Sequence, residues 1–179
     1  MSASFYVLEA ANLFCGDHDP SASKHLTLNE LQLPALQEIY QEHHAGGSRV
    51  QIEVAVGIQK LEPTFKLAGW DPELLTRFGL GTRDARVFTA YGVVRDKRTG
   101  VAYEAKAVIE GRLGKIEPEA FKRGELMGHD YSINEVMHYE LWFGEKEKLF
   151  WDFFSGDWRL DGTSQIDDER RILRIPTTG

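Results

Sequence analysis

The chain has 179 residues, with 21 Lys and Arg against 28 Asp and Glu, a formal net charge of −7 and 42% hydrophobic residues. That is the composition of an ordinary globular protein, and its acidity opposes a nucleic-acid clamp, which needs clustered Lys and Arg, though not a protein that DNA merely passes. No apolar run reaches the about 18 residues of a membrane-spanning helix. The first residues, Met1 to Tyr6, lack the charged start and apolar stretch of a signal peptide. Cys15 is the only cysteine, so no intrachain disulfide can form and a reducing compartment fits best.

Along the chain, Leu26, Leu28, Leu31 and Leu33 read as an extended segment. Leu31, Ala35, Leu36 and Ile39 could instead form a helical stripe, but Pro34 inside it would cost about 3 kcal/mol. Strand is the preferred reading through His44, with a helical turn near 36–42 as the alternative, and Ala45-Gly46-Gly47 as a turn. Val50, Ile52, Val54, Val56 and Ile58 then alternate with Gln51 and Glu53, which predicts a strand with one buried and one polar face. Asp71 can cap a short helix, Pro72 suits its first position and Glu73 its positive end; Leu74, Leu75 and Phe78 share a side, and Gly79 or Gly81 ends it. Val87, Thr89, Tyr91 and Val93, the turn Asp96 to Gly100, and Val101 to Ile109 predict a hairpin. Ile116 to Gly128, with Pro118, Gly124 and Gly128, is the longest loop. Tyr131 to Phe143, Gly144-Glu145 and Lys148 to Phe154 predict a second strand pair. The expected fold is mainly antiparallel β, a sandwich or barrel with one short flanking helix, in a single domain over 1–179 with extended termini at about 1–11 and 156–179.

No catalytic constellation emerges. His43 and His44 are adjacent and would point to opposite faces of a strand, which defeats joint ligation. His18 between Asp17 and Asp19 lacks a second ligand pair at a known spacing, so a solvated acidic loop is the expectation. Cys15 has no base or orienting residue that sequence can identify. Gly79-Leu80-Gly81 lacks the context of a dinucleotide loop. Asp167 to Arg171 is a charge run, expected as a solvated terminal segment or a salt-bridged contact with a neighbouring chain. Trp142, Phe143, Phe150, Trp151, Phe153, Phe154 and Trp158 cover both faces of their strands, so they are either sandwiched in the core or covered by another subunit. No enzyme activity, metal or cofactor is expected.

Several phrases, in order, carry a family resemblance: Asn12-Leu13-Phe14 with Gly16; Leu33-Pro34-Ala35-Leu36 and Ala45-Gly46-Gly47; Gly57-Ile58 through Phe65 to Gly69; and Phe78-Gly79-Leu80. Gly92 with Arg95-Asp96 to Gly100, Glu110-Gly111-Arg112-Leu113, Ile116-Glu117-Pro118, Lys122-Arg123-Gly124-Glu125, and Tyr139-Glu140-Leu141 with Gly144-Glu145 and Asp152 continue it. Over residues 12–155 the sequence resembles the major tail tube protein of contractile-tailed bacteriophages, a family shared with R-type bacteriocins. Met1 to Ala11, the aromatic run Trp151 to Trp158 and the tail Pro176 to Gly179 depart from that pattern.

The resemblance implies a subunit of six-membered rings that stack into a tube, with hairpins of all six joining in an inner barrel. The implied partners are further copies of the chain, the tail sheath, tape measure, baseplate and tail terminator proteins, and double-stranded DNA in passage. The implied location is the virion, assembled in the host bacterial cytoplasm. On that reading Val50, Ile52, Val54, Val56 and Ile58 pack toward the subunit core, while Gln51 and Glu53, with some of Glu38, Gln41 and Glu42, face the channel. An acidic lining repels phosphates and lets a genome slide. Asp17, His18, Asp19, Glu117, Glu119, Lys122, Arg123, Trp151 and Trp158 are the candidates for contacts between subunits, stacked rings or the sheath. The rivals are a bacteriocin or secretion-type tube and, from another class, a monomeric ligand-binding barrel lined by the Trp and Phe cluster.

Overall fold

A computed structural model of the chain describes residues 3–16, 18–79 and 85–176. The elements run β1 (Tyr6–Cys15), a single 3-10 turn (Pro20–Ala22), β2 (Leu28–Gln32), β3 (Glu38–His43), β4 (Ile52–Ile58), β5 (Thr64–Ala68) and α1 (Pro72–Leu75). They continue with β6 (Arg86–Asp96), β7 (Ala102–Pro118), β8 (Gly128–Phe143), β9 (Lys146–Asp152), β10 (Asp157–Leu160), β11 (Thr163–Ser164) and α2 (Asp167–Leu173). All strand pairings among the described residues are antiparallel, as the alternation predicts.

Strand β8 organises the main sheet, whose order is β1-β6-β7-β8-β9-β10-β11. One edge of β8 pairs with β7; the other pairs with β5 over Gly128–Ser132 and with β9 over His138–Phe143. Between those stretches Glu135 has φ 49, and the β7 register shifts at Arg112 and Lys115. Extra residues of this kind bend a strand. Gly111 makes the bend possible, because a Cβ there would lie 2.9 Å from the backbone oxygen of Asn134. Beyond the bend, β2 pairs with β5, and Leu28, Leu31 and Leu33 pack against the core.

The core joins the two layers: Leu13 and Cys15 of β1, Phe65 and Leu67 of β5, Phe88 and Ala90 of β6, Ala107 and Ile109 of β7, Tyr131 and Tyr139 of β8, and Leu149 of β9. Phe65 and Tyr131 stack with ring centroids 4.8 Å apart. In β6 Phe88, paired with Ile109, and Ala90, paired with Ala107, join the core; of the alternating series Val87 to Val93, Thr89 is also buried while Val87 and Val93 are exposed.

The predicted helix forms as one turn only, shorter than Asp71 to Phe78. Asp71 Oδ1 accepts the Leu74 N–H at 3.2 Å, and Pro72 opens the turn. Of the expected stripe Leu74 alone is buried; Leu75 and Phe78 are exposed, since a single turn aims one residue inward. Gly79, at φ 102, follows; Leu80 and Gly81 lie outside the described residues. Within the 36–44 stretch, Glu38–His43 form β3, the strand preferred over a helical turn. Two segments set apart as termini carry regular structure: residues 6–11 belong to β1, and residues 157–173 hold β10, β11 and the second helix, α2.

Candidate assembly surfaces

Strands β3 and β4 form a two-stranded sheet of their own, and among the described residues each pairs only with the other. Every residue of both strands is exposed. Register assigns the faces, because directly opposed residues share one. Glu42 opposes Glu53 and Tyr40 opposes Ala55 on one face; His43 opposes Ile52 and Gln41 opposes Val54 on the other. The first face is acidic. The Tyr40 hydroxyl donates to Glu38, and Gln51 Nε2 donates to Glu42 Oε2 at 2.7 Å. Glu38, with a smaller effect from Glu53, pushes the Tyr40 phenol above its ordinary range.

Four of the five residues read as channel-facing, Glu38, Glu42, Gln51 and Glu53, therefore gather on one face. Gln41 sits on the opposite, apolar face, because it is an odd number of positions from Glu38 and Glu42. The expectation that Val50, Ile52, Val54, Val56 and Ile58 pack on the subunit core is corrected. Their exposures are 67%, 54%, 45%, 52% and 44%, and Val50 precedes the strand. The alternation is real, but none of the described residues buries it.

The aromatic cluster divides by face. Trp151 and Trp158 are opposed across β9 and β10 and pack against the core with Leu141. On the outer face the Arg159 guanidinium lies 3.6 Å from the Phe150 ring centroid, and Lys106 Nζ lies 5.8 Å from that of Trp142. Arg159 donates to Glu147 at 3.0 and 2.9 Å and also to Asp157; these bonds, Glu147 first, raise its already high pKa further. His138 lies 2.8 Å from Glu140 Oε1 and 3.1 Å from Asp152 Oδ2. Phe153 and Phe154 remain exposed, stacked edge-on against each other.

The loop candidates are largely occupied by local bonds. Asp17 lies outside the described residues. His18 stacks on Phe14 and sits 3.1 Å from the Tyr91 hydroxyl, while Asp19 Oδ1 accepts from Ser21 N at 2.8 Å and Ser21 Oγ at 2.7 Å. Glu117 lies in β7, which runs on to Pro118 through the first three residues of the loop expected from Ile116, and it pairs with Lys115. Glu119 takes Lys66 and the Gly128 N–H, which hold its carboxyl below the usual range. Lys122 reaches Glu125 at 3.8 Å, and Arg123 is exposed. In the same loop Phe121 and Leu126 are 80% and 79% exposed, apolar residues that sequence reasoning passed over. The Asp167–Arg171 run is helix α2, and Arg170 turns back to Asp157 at 3.3 Å, a contact within the chain.

Cys15 is buried, and burial pushes its thiol up to about 12. Among the described residues no group of three or more His, Cys, Asp or Glu is arranged to hold a metal, and no helix is long and apolar enough to cross a membrane.

The family model of phage tail tube protein FII matches residues 7–173, nearly the whole described chain. The chain belongs to the phage tail tube protein FII family. It is thus a structural tail tube protein and a virion component. A comparison with curated proteins gives no match. Among solved structures, this tail tube chain resembles one in the sheath/tube terminator of an extracellular contractile injection system, PVC. The TM-score there is 0.52 at 9% identity, covering 71% of this chain and 91% of that one. A chain of the PVC sheath-tube complex gives 0.51 at 9% identity, covering 71% and 86%. A chain of the anti-feeding prophage baseplate, 6-fold symmetrised, gives 0.50 at 8%, covering 79% and 95%. At such identities the likeness shows a shared fold, the mainly antiparallel β fold expected from sequence.

Proposed function

We propose that this tail tube protein, as a single domain, assembles six-membered rings that stack into the inner tube of a contractile tail, the conduit for genome ejection. The observation that carries the reading is the β3–β4 hairpin. Among the described residues both its edges are free and all its strand residues are exposed, with one face apolar and the other acidic. A free-edged hairpin is an aggregation hazard in a monomer and a joint in an assembly. Heterologous contacts that close give rings, and those that do not close give filaments. Six hairpins joined edge to edge would present Glu38, Glu42, Gln51 and Glu53 together, and a wall of that charge repels DNA phosphates.

The tail sheath, tape measure, baseplate and tail terminator proteins are the partners in this reading, assembly takes place in the host bacterial cytoplasm, and the chain catalyses nothing. The similar folds in a sheath-tube complex, a terminator and a six-fold symmetrised baseplate support the contractile setting. They also favour one second reading, the tube of a bacteriocin or injection particle that carries no genome.

Purified protein imaged by electron microscopy should show six-membered rings or hollow tubes; a strict monomer at every concentration overturns the reading. Particles carrying Glu42→Lys and Glu53→Lys should assemble yet eject DNA slowly. Normal ejection from them would remove the acidic face from the channel.

A further inference from the structure

A groove of about 710 Å³ opens where the hairpin rejoins the body. One wall is the β4 exit, Gly57 to Glu62; Val136, Met137, Trp151, Phe153 and Trp158 supply the apolar remainder. Its floor follows the bend of β8, where, among the described residues, the edge between the β5 and β9 pairings has no strand partner over residues 134–136, and the Met137 carbonyl accepts from Phe153 N–H at 2.8 Å. We infer that this groove receives the apolar face of the β3–β4 hairpin of a second copy. The inference rests on the tube reading and adds the surface on which subunits meet.

Three observations select that occupant. Two uncovered apolar surfaces among the described residues match in character: Ile39, Ile52, Val54 and Val56 on the hairpin, and the aromatic and aliphatic groove. The surfaces are continuous, since Gly57, opposite Ile39 on the apolar face, also lines the groove. A hairpin pairing along a free edge of its neighbour is therefore carried toward the neighbour's groove. Finally, the chain's own hairpin is not placed to fill it. Leu61 is buried in the core and pins residues 59–62 as a wall, so the hairpin departs from the rim. The rim is polar, with Lys60 and Glu62 paired at 2.6 Å and Glu135 held by Arg112 at 3.2 Å, which leaves the apolar floor as the docking surface. An apolar face and an apolar groove, both removed from water, give an attraction that salt does not screen.

The test compares amide hydrogen exchange of the unmodified chain before and after tube assembly, together with disulfide trapping of a Val54→Cys, Met137→Cys double variant. Assembly should slow exchange over both 52–58 and 134–137, and oxidised tubes of the variant should give linked dimers that neither single variant gives. Tubes in which the hairpin gains protection while 134–137 and 151–158 exchange as in the free subunit overturn the groove assignment and leave the tube reading standing. So does slowing of 134–137 with no slowing of 52–58, which would mean another segment or partner fills the groove. Failure of the unmodified chain to form rings or tubes overturns the tube reading itself. A double variant that cannot assemble leaves the exchange comparison to decide.

Discussion

Two hairpins carry the same period-two signal and meet opposite fates. In β6–β7, Phe88, Ala90, Ala107 and Ile109 are each 5% exposed or less. In β3–β4, the equivalent apolar residues are all more than 40% exposed. The difference lies in their neighbours. Strand β6 has β1 on its far side, β7 has β8, and the β2–β5 layer closes over their inner face. Among the described residues the β3–β4 pair has no third strand and no opposing layer. Alternation specifies a face that favours leaving water; it does not specify which chain provides the cover.

That contrast can be broken by measuring the unfolding free energy of the free subunit. Phe88→Ala should have the largest effect, a loss of about 3–5 kcal/mol. A domain of this kind has roughly 5–15 kcal/mol in total, so the variant should unfold at markedly lower denaturant.

Alkaline pH should come next. Burial raises Cys15 from 9.0 to about 12, and Tyr131 and Tyr139 from 10.0 to about 12. The unfolded chain therefore releases these protons first, and stability falls as pH rises from about 9 toward 12, with no such slope below pH 9. At pH 10.5 Cys15 alone would contribute a loss of about 2 kcal/mol. A Cys15→Ala variant should show a shallower alkaline slope; an identical slope would contradict the buried neutral thiol.

Glu53→Gln removes a like-charge pair with Glu42 and should steady the hairpin by roughly 0.2–1 kcal/mol, read as slower amide exchange across β3–β4. Smallest of all on the free subunit is Val54→Asp, which should leave its unfolding midpoint almost unchanged, yet prevent tube assembly. If Val54→Asp destabilised the subunit as a core variant does, the two hairpins would not differ in the way described.

Much of the architecture was legible because its signals are local. The Asp71 cap and Pro72 placed α1, Gly144 placed the turn between β8 and β9 through its positive φ, and the alternation placed β4, β6, β7 and β9. What escaped depends on contacts distant in sequence. The core face of β6 could not be chosen from sequence because both of its faces carry apolar residues, and only pairing with Ile109 and Ala107 distinguishes them. The separation of Gln41 from Glu38, Glu42, Gln51 and Glu53 follows from register. Trp151 and Phe150 are adjacent, and one belongs to the core while the other lies under Arg159, which no periodicity could reveal. Strand β1 and helix α2 went unread since Tyr6 to Ala11 mixes polar and apolar residues over a bulge at Glu9, and the helix rests on Arg170 reaching Asp157.

The burial of Cys15 has a practical consequence. A chain whose single native thiol is neutral and closed off gives no background to thiol-directed reagents in its folded state. Each cysteine placed on the hairpin, in the groove or on the Phe121 loop would then report by itself, so fluorophores or spin labels could follow subunits joining in real time without first removing a natural residue.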